Sequence, residues 1–178
     1  MTSLPLPRSR RAAVVAAALL ALALTGCGHA SPGVVAYVGE DTISQREVES
    51  AVAGVSSTLQ EGQTVSSEAV VNAMIQGKLA EQIAADHTIP ITDAQRDAQL
   101  KGTELEALVA VPEAKQVVYD LADQRIVAQQ LGAEAFLKEI QGRSVTLNPR
   151  YGVLDPAQKL ILSGQSSSLS TPAAGATP

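Results

Sequence analysis

Two short runs constrain the fold of this chain most strongly. They are Val34-Val35-Ala36-Tyr37-Val38 and Ser144-Val145-Thr146-Leu147-Asn148, one at each end of a long helical stretch. Both are rich in β-branched residues and both stop at turn formers, Gly39-Glu40-Asp41 after the first and Asn148-Pro149 after the second. They therefore read as strands. A strand standing alone leaves a row of unpaired N–H and C=O groups. With no other convincing strand between them, the two are expected to pair with each other, first element with last. The expected fold is mostly α, with a small two-stranded antiparallel clasp. A ribbon of two strands is marginal by itself and needs a helix packed on it, a role that falls to the helix following the first strand.

The intervening pattern is helical. Ser44-Gln45-Arg46-Glu47 spells an S-x-x-E capping box, and Val48, Val52, Val55 and Leu59 form one apolar stripe. This predicts a helix from Ser44 to about Gln60. Val71, Ile75, Leu79 and Ile83 recur every four residues, widened by Val70 and Met74, and predict a second helix over Ser67 to Asp86. Met74 suits the core, although its adaptable side chain would also suit a binding surface. Thr92-Asp93-Ala94-Gln95 is a further capping box, opening a weaker helix that runs to about Ala110 and is bent or broken at Gly102. Pro112 fits a first helical position and starts a long helix to about Gln141, with Gly132 as a point of interruption. Ser163 to Pro178 is small, polar and without period, so residues 157–178 are expected to be a disordered tail.

The first 26 residues read as a removable export signal. Arg8, Arg10 and Arg11 precede an apolar run from Ala12 to Leu24, too short for a spanning helix but right for a signal core. Leu24-Thr25-Gly26-Cys27 then resembles the lipobox of bacterial lipoproteins, in which a cysteine is diacylated and becomes the new N-terminus. On that reading Cys27 is the lipidation site and residues 27–33 are a tether. The protein is held at the cell membrane on the extracytoplasmic side. Ser9-Arg10-Arg11 hints at twin-arginine export, but the bulky apolar residue expected after the pair is missing. Cleavage removes three of the 13 basic residues and none of the 18 acidic ones, taking the net charge from −5 to −8. So acidic a domain, without a Lys/Arg cluster, is a poor nucleic-acid binder. It would also gain no electrostatic hold on an anionic membrane, which leaves attachment to the acyl chains.

A catalytic constellation is not legible. His29 lies beside Cys27, and His87 sits at a helix end, where a histidine more often steadies the last carbonyls. Asp93 and Asp97, four apart, read as a solvated face rather than a metal site. Gly62 and Gly77 match no phosphate loop, and the chain has no Trp and one Phe with which to stack on sugars or bases. No cofactor and no enzymatic activity are expected. Arg150 either pairs with a carboxylate such as Glu47 or is solvated.

Three motifs carry a resemblance. Val35 to Ser44 with Glu47-Val48 looks like the strand, turn and capped helix that open SurA-type and PrsA-type extracytoplasmic chaperones. Ile89-Pro90-Ile91-Thr92-Asp93-Ala94-Gln95 is similar to the opening of a later helix in them. Val145 to Gly152 resembles their closing strand, particularly in actinobacterial lipoproteins of the SurA N-terminal-domain type. The resemblance spans residues 34–156 and implies a helical SurA N-terminal-like domain that binds unfolded or nascent exported polypeptides. It also implies a departure. Many members carry a parvulin-type prolyl isomerase domain with its own sheet and buried histidines, whereas here the interval reads as helix and holds only His87. The expectation is a membrane-anchored holdase without catalysis. The alternative is an accessory lipoprotein that binds one folded envelope protein.

Overall fold

The computed structural model describes residues 33–162, all within the compact unit Pro32–Pro178. Strand β1 is Val34–Val38 and runs through a two-residue turn, Gly39-Glu40, directly into β2, Asp41–Ser44. Gly39 takes the first turn position at φ 58, the left-handed conformation that a tight hairpin loop asks of a glycine. On its other edge β1 pairs antiparallel with β3, Val145–Leu147, placing Ala36 opposite Leu147 and Val38 opposite Val145. The sheet is therefore three-stranded, in the order β2-β1-β3. This corrects the two-stranded clasp: Asp41-Thr42-Ile43-Ser44, read as a turn and a helix lead-in, is a strand. The physical reason is that β1 has two edges. β3 satisfies one, and the hairpin supplies a partner for the other at almost no loop-closure cost.

A bulge at Val35 lets β1 depart from strict alternation. Val34 opposes Ser44 but Ala36 opposes Ile43, so Val35 is an extra residue on β1. As a result the adjacent Val35 and Ala36 are both buried, as is Val38. Asn148 closes the other end: its N–H donates to the Val35 carbonyl at 2.8 Å and its Nδ2 to the Val34 carbonyl at 2.9 Å. Pro149, which has no N–H to offer, then starts a 3-10 turn, Pro149–Tyr151. Tyr151 is half-buried in it against the core.

Helix α1 is Gln45–Ser56, shorter than the stripe predicted, with Leu59 in the loop beyond it. Both halves of its capping box are formed: Ser44 Oγ accepts from the Glu47 N–H, and the Glu47 carboxylate accepts from the Ser44 N–H at 2.7 Å. Helix α2, Ser67–Asp86, has the predicted bounds and runs through the middle of the core, with Val71, Ile75, Leu79 and Ile83 fully buried. Its Gln82 Nε2 reaches the sheet, donating to the Val38 carbonyl and to Asp41. Helix α3, Asp93–Leu100, starts at the Thr92 capping box and stops ten residues before the predicted end. Gly102 at φ 74 breaks it, and a 3-10 turn, Glu106–Ala110, follows.

Pro112 begins α4, Pro112–Leu131, as expected. Gly132 at φ 87 then ends it, so the long helix is two, and α5, Ala133–Gly142, turns Phe136 and Ile140 into the core. Met74 is buried, in keeping with a core role. The predicted boundary at residue 156 falls inside packed structure. Leu154 bridges Ile161 across a hairpin, and Ile161 is 5% exposed. Ile161, five residues beyond the boundary, joins the core cluster, and the run Leu160-Ile161-Leu162 was the apolar signal for it.

Candidate functional site

The residues with the most chemistry lie along the seam between α2 and α4. Close approach of these helices depends on Gly77: a Cβ there would sit 2.2 Å from the Cβ of Asp120, well inside any real contact. Gly77 belongs to no phosphate loop; it is the notch into which Asp120 fits. Asp120 is 2% exposed, and its Oδ1 accepts from Gln116 Nε2 at 2.9 Å. Burial pushes its carboxyl up to about 7, against the opposing pull of the Gln116 hydrogen bond and of Lys78. One turn along α4, Asp123 is fully buried and receives two parallel bonds from Arg96, Nε at 2.7 Å and Nη2 at 2.8 Å. This fork is the strong form of a charge pair. The same arginine also holds Asp93 at 2.9 Å and lies 5.3 Å from the Tyr119 ring centre. The Tyr119 hydroxyl donates to Asp97 at 2.8 Å, a bond that pushes its ionisation up to about 12. Asp93 and Asp97 are thus not merely solvated. The Asp97–Tyr119 bond and the Arg96–Asp123 fork fasten α3 to α4, while Asp93 holds Arg96 from within α3.

Further along the seam the polar groups are amides. Gln76, 4% exposed, donates from Nε2 to the carbonyls of Gln158 (2.9 Å) and Lys159 (3.3 Å), and its Oε1 accepts from Gln124 Nε2 at 3.3 Å. One turn earlier on α2, Asn72 Oδ1 accepts the Ile161 N–H at 2.7 Å. Beside these amides opens a cavity of about 410 Å³ between α4, α5 and the C-terminal hairpin. Ala128, Ala133, Phe136, Leu137, Ile140 and Leu160 line its apolar side, and Gln76, Gln124, Arg125 and Gln158 its polar side. Leu137, 41% exposed, is one of two large exposed apolar side chains among the described residues; Val153 is the other.

The remaining candidate residues are dispersed. Cys27 and His29 lie outside the described residues. His87 follows α2 and sits 3.2 Å from Glu139. Among the described residues no three His, Cys, Asp or Glu side chains gather as a metal site, and no helix is long and apolar enough to cross a membrane. Arg150 is exposed, and the Glu47 carboxylate is turned back onto its own helix cap.

Sequence reasoning missed the seam. Gln116, Asp120 and Gln124 recur every four residues, a pattern that on a lone helix reads as a solvated face. Only the burial of Val117, Val118, Ala122 and Val127 around that row, with Gly77 opposite, marks Asp120 as interior, while Gln116 stays exposed and Gln124 half-buried. No family model, no characterised protein and no solved structure matches this chain.

Proposed function

We propose that this protein is a lipid-anchored extracytoplasmic holdase of the SurA N-terminal-like kind, binding unfolded or nascent exported polypeptides without catalysis. The observation that carries this reading is the open groove of about 410 Å³, with an apolar side formed by α4 and α5 and amides along its other side. An unfolded chain exposes apolar side chains and unpaired backbone groups together. A surface offering apolar contact beside amide donors and acceptors meets both needs and demands little of the sequence. The acidic charge adds solubility and disfavours nucleic acid as a ligand. The motif resemblance at Val35–Ser44, Ile89–Gln95 and Val145–Gly152 supports the same reading, as does the lipobox-like segment ending at Cys27.

The closed core favours a second reading. With Leu137 and Val153 as the only large exposed apolar side chains among the described residues, the domain could also serve as an accessory lipoprotein that docks on one folded envelope protein. Affinity capture from solubilised envelope with the tagged protein separates the two. Many heterogeneous unfolded chains are expected for a holdase, and one stoichiometric partner would sink that reading. Leu137→Asp should weaken suppression of aggregation of a reduced, unfolded protein without lowering the thermal midpoint. In a prolyl-isomerisation assay on a model peptide the rate should stay at background.

A further inference from the structure

The C-terminal hairpin is bound in an unusual way. Its Ile161 N–H points away from its own partner strand and is taken by Asn72, while the Gln158 and Lys159 carbonyls are taken by Gln76. Every one of these bonds engages main chain, and the only side chain inserted deeply is that of Ile161. Asn72 and Gln76 are four residues apart on α2, so they form one row, with Gln124 of α4 completing it from the facing helix. A row offering an acceptor for one backbone N–H and one amide donor shared by two successive carbonyls, beside a pocket for one aliphatic group, grips a turned main chain with little demand on its sequence. Gln158 and Leu160 also form one wall of the groove described above. Lys159 holds φ 55, a conformation that costs a non-glycine residue energy.

We propose that residues 157–162 occupy in cis a polypeptide-binding site made by Asn72, Gln76 and Gln124, and that an unfolded client segment bearing a branched aliphatic residue, turned in the same way, displaces them. The inference rests on the holdase reading and adds its regulation: the site is held shut by the protein's own chain and opens to full length only when the strap leaves. The strap is suited to leave. It is short, it carries one buried anchor, and the hairpin bonds Asp155 N–H to Leu160 and Leu162 N–H to Val153 can persist as it swings out.

Two measurements test this. In the native protein, hydrogen exchange at the Ile161 amide should proceed by local opening, at least tenfold faster than at Ile75 or Val118 in the core. Exchange of Ile161 only together with those core amides would overturn the proposal. In the second, a fluorescein-labelled peptide with the sequence of residues 156–162 is titrated into the native protein and into Ile161→Asp, whose strap should be released. At least tenfold tighter binding to the variant is expected, lost again when Gln76→Ala is added. Equal or absent binding to folded Ile161→Asp refutes a cis-occupied site. Failure of the holdase reading has a different signature: the peptide would still bind the variant, while neither protein would suppress aggregation of an unfolded protein. Should Ile161→Asp not fold, the exchange measurement on the native protein decides by itself.

Discussion

Asp120 is the residue at which the fold opposes an ordinary ionisation. An aspartate in the unfolded chain titrates near 3.8, whereas burial against α2 raises this one to about 7. Between those values the folded protein keeps a proton that the unfolded chain has released, so stability falls as pH rises from about 4 to about 7 and is lowest above that. Lys78, Glu81 and Asp123 are the charges that bear on it. Asp120→Asn preserves the shape and the acceptor for Gln116 while removing the titration. Denaturant unfolding at pH 8 should show the variant more stable by roughly 2–4 kcal/mol, with the gain shrinking toward pH 4. Its partner Gly77 makes the opposite case. Gly77→Ala would ordinarily help a helix, but here the methyl meets Asp120, and a loss of about 2 kcal/mol or more is expected from the midpoint of urea unfolding. Asp123 was unreadable as a core residue for a simple reason: an aspartate is almost never fully buried unless paired, and its partner Arg96 lies on another helix.

Among elements, the local signals were the most legible. Both capping boxes are formed where Ser44-x-x-Glu47 and Thr92-x-x-Gln95 stand, and Pro112 opens α4. Caps depend on residues within one turn, which is why sequence alone exposes them. Ser44→Ala should cost about 1 kcal/mol in thermal or chemical unfolding. Because Ser44 also ends β2 opposite Val34, the exchange protection of the β1–β2 pair should weaken with it. Strand β2 itself had a signal that went unused: Gly39-Glu40 fits a two-residue hairpin loop with glycine first. What hid it is that Asp41 and Thr42 are exposed, so the strand shows no apolar run. Gly102 and Gly132 carried the helix breaks in plain view, but only neighbours could decide whether each was a bend or an end.

For the whole molecule, the proposed attachment at Cys27 should be separable from folding. Cys27 lies outside the described residues, and the domain described from residue 33 onward buries its core without it. Cys27→Ala should move the protein from the membrane to the soluble fraction, measured by fractionation, with its thermal midpoint unchanged. Retention on the membrane would sink the lipid-anchor assignment.

The mostly helical class, the strands at either end, the helix starts and the positions where glycine could end a helix are legible in the amino-acid order alone. All of these follow from residues close together in the chain, acting through propensity, period and capping. Contacts between distant segments place β1 at the centre of the sheet, turn Asp120 inward, and return residues 157–162 to α2. These depend on pairings between segments far apart in the chain, such as Asn148 with Val34, 114 residues away, and Ile161 with Asn72, 89 away. Which polar group ends buried is set there by the availability of a partner on another element, and no local pattern records that partner.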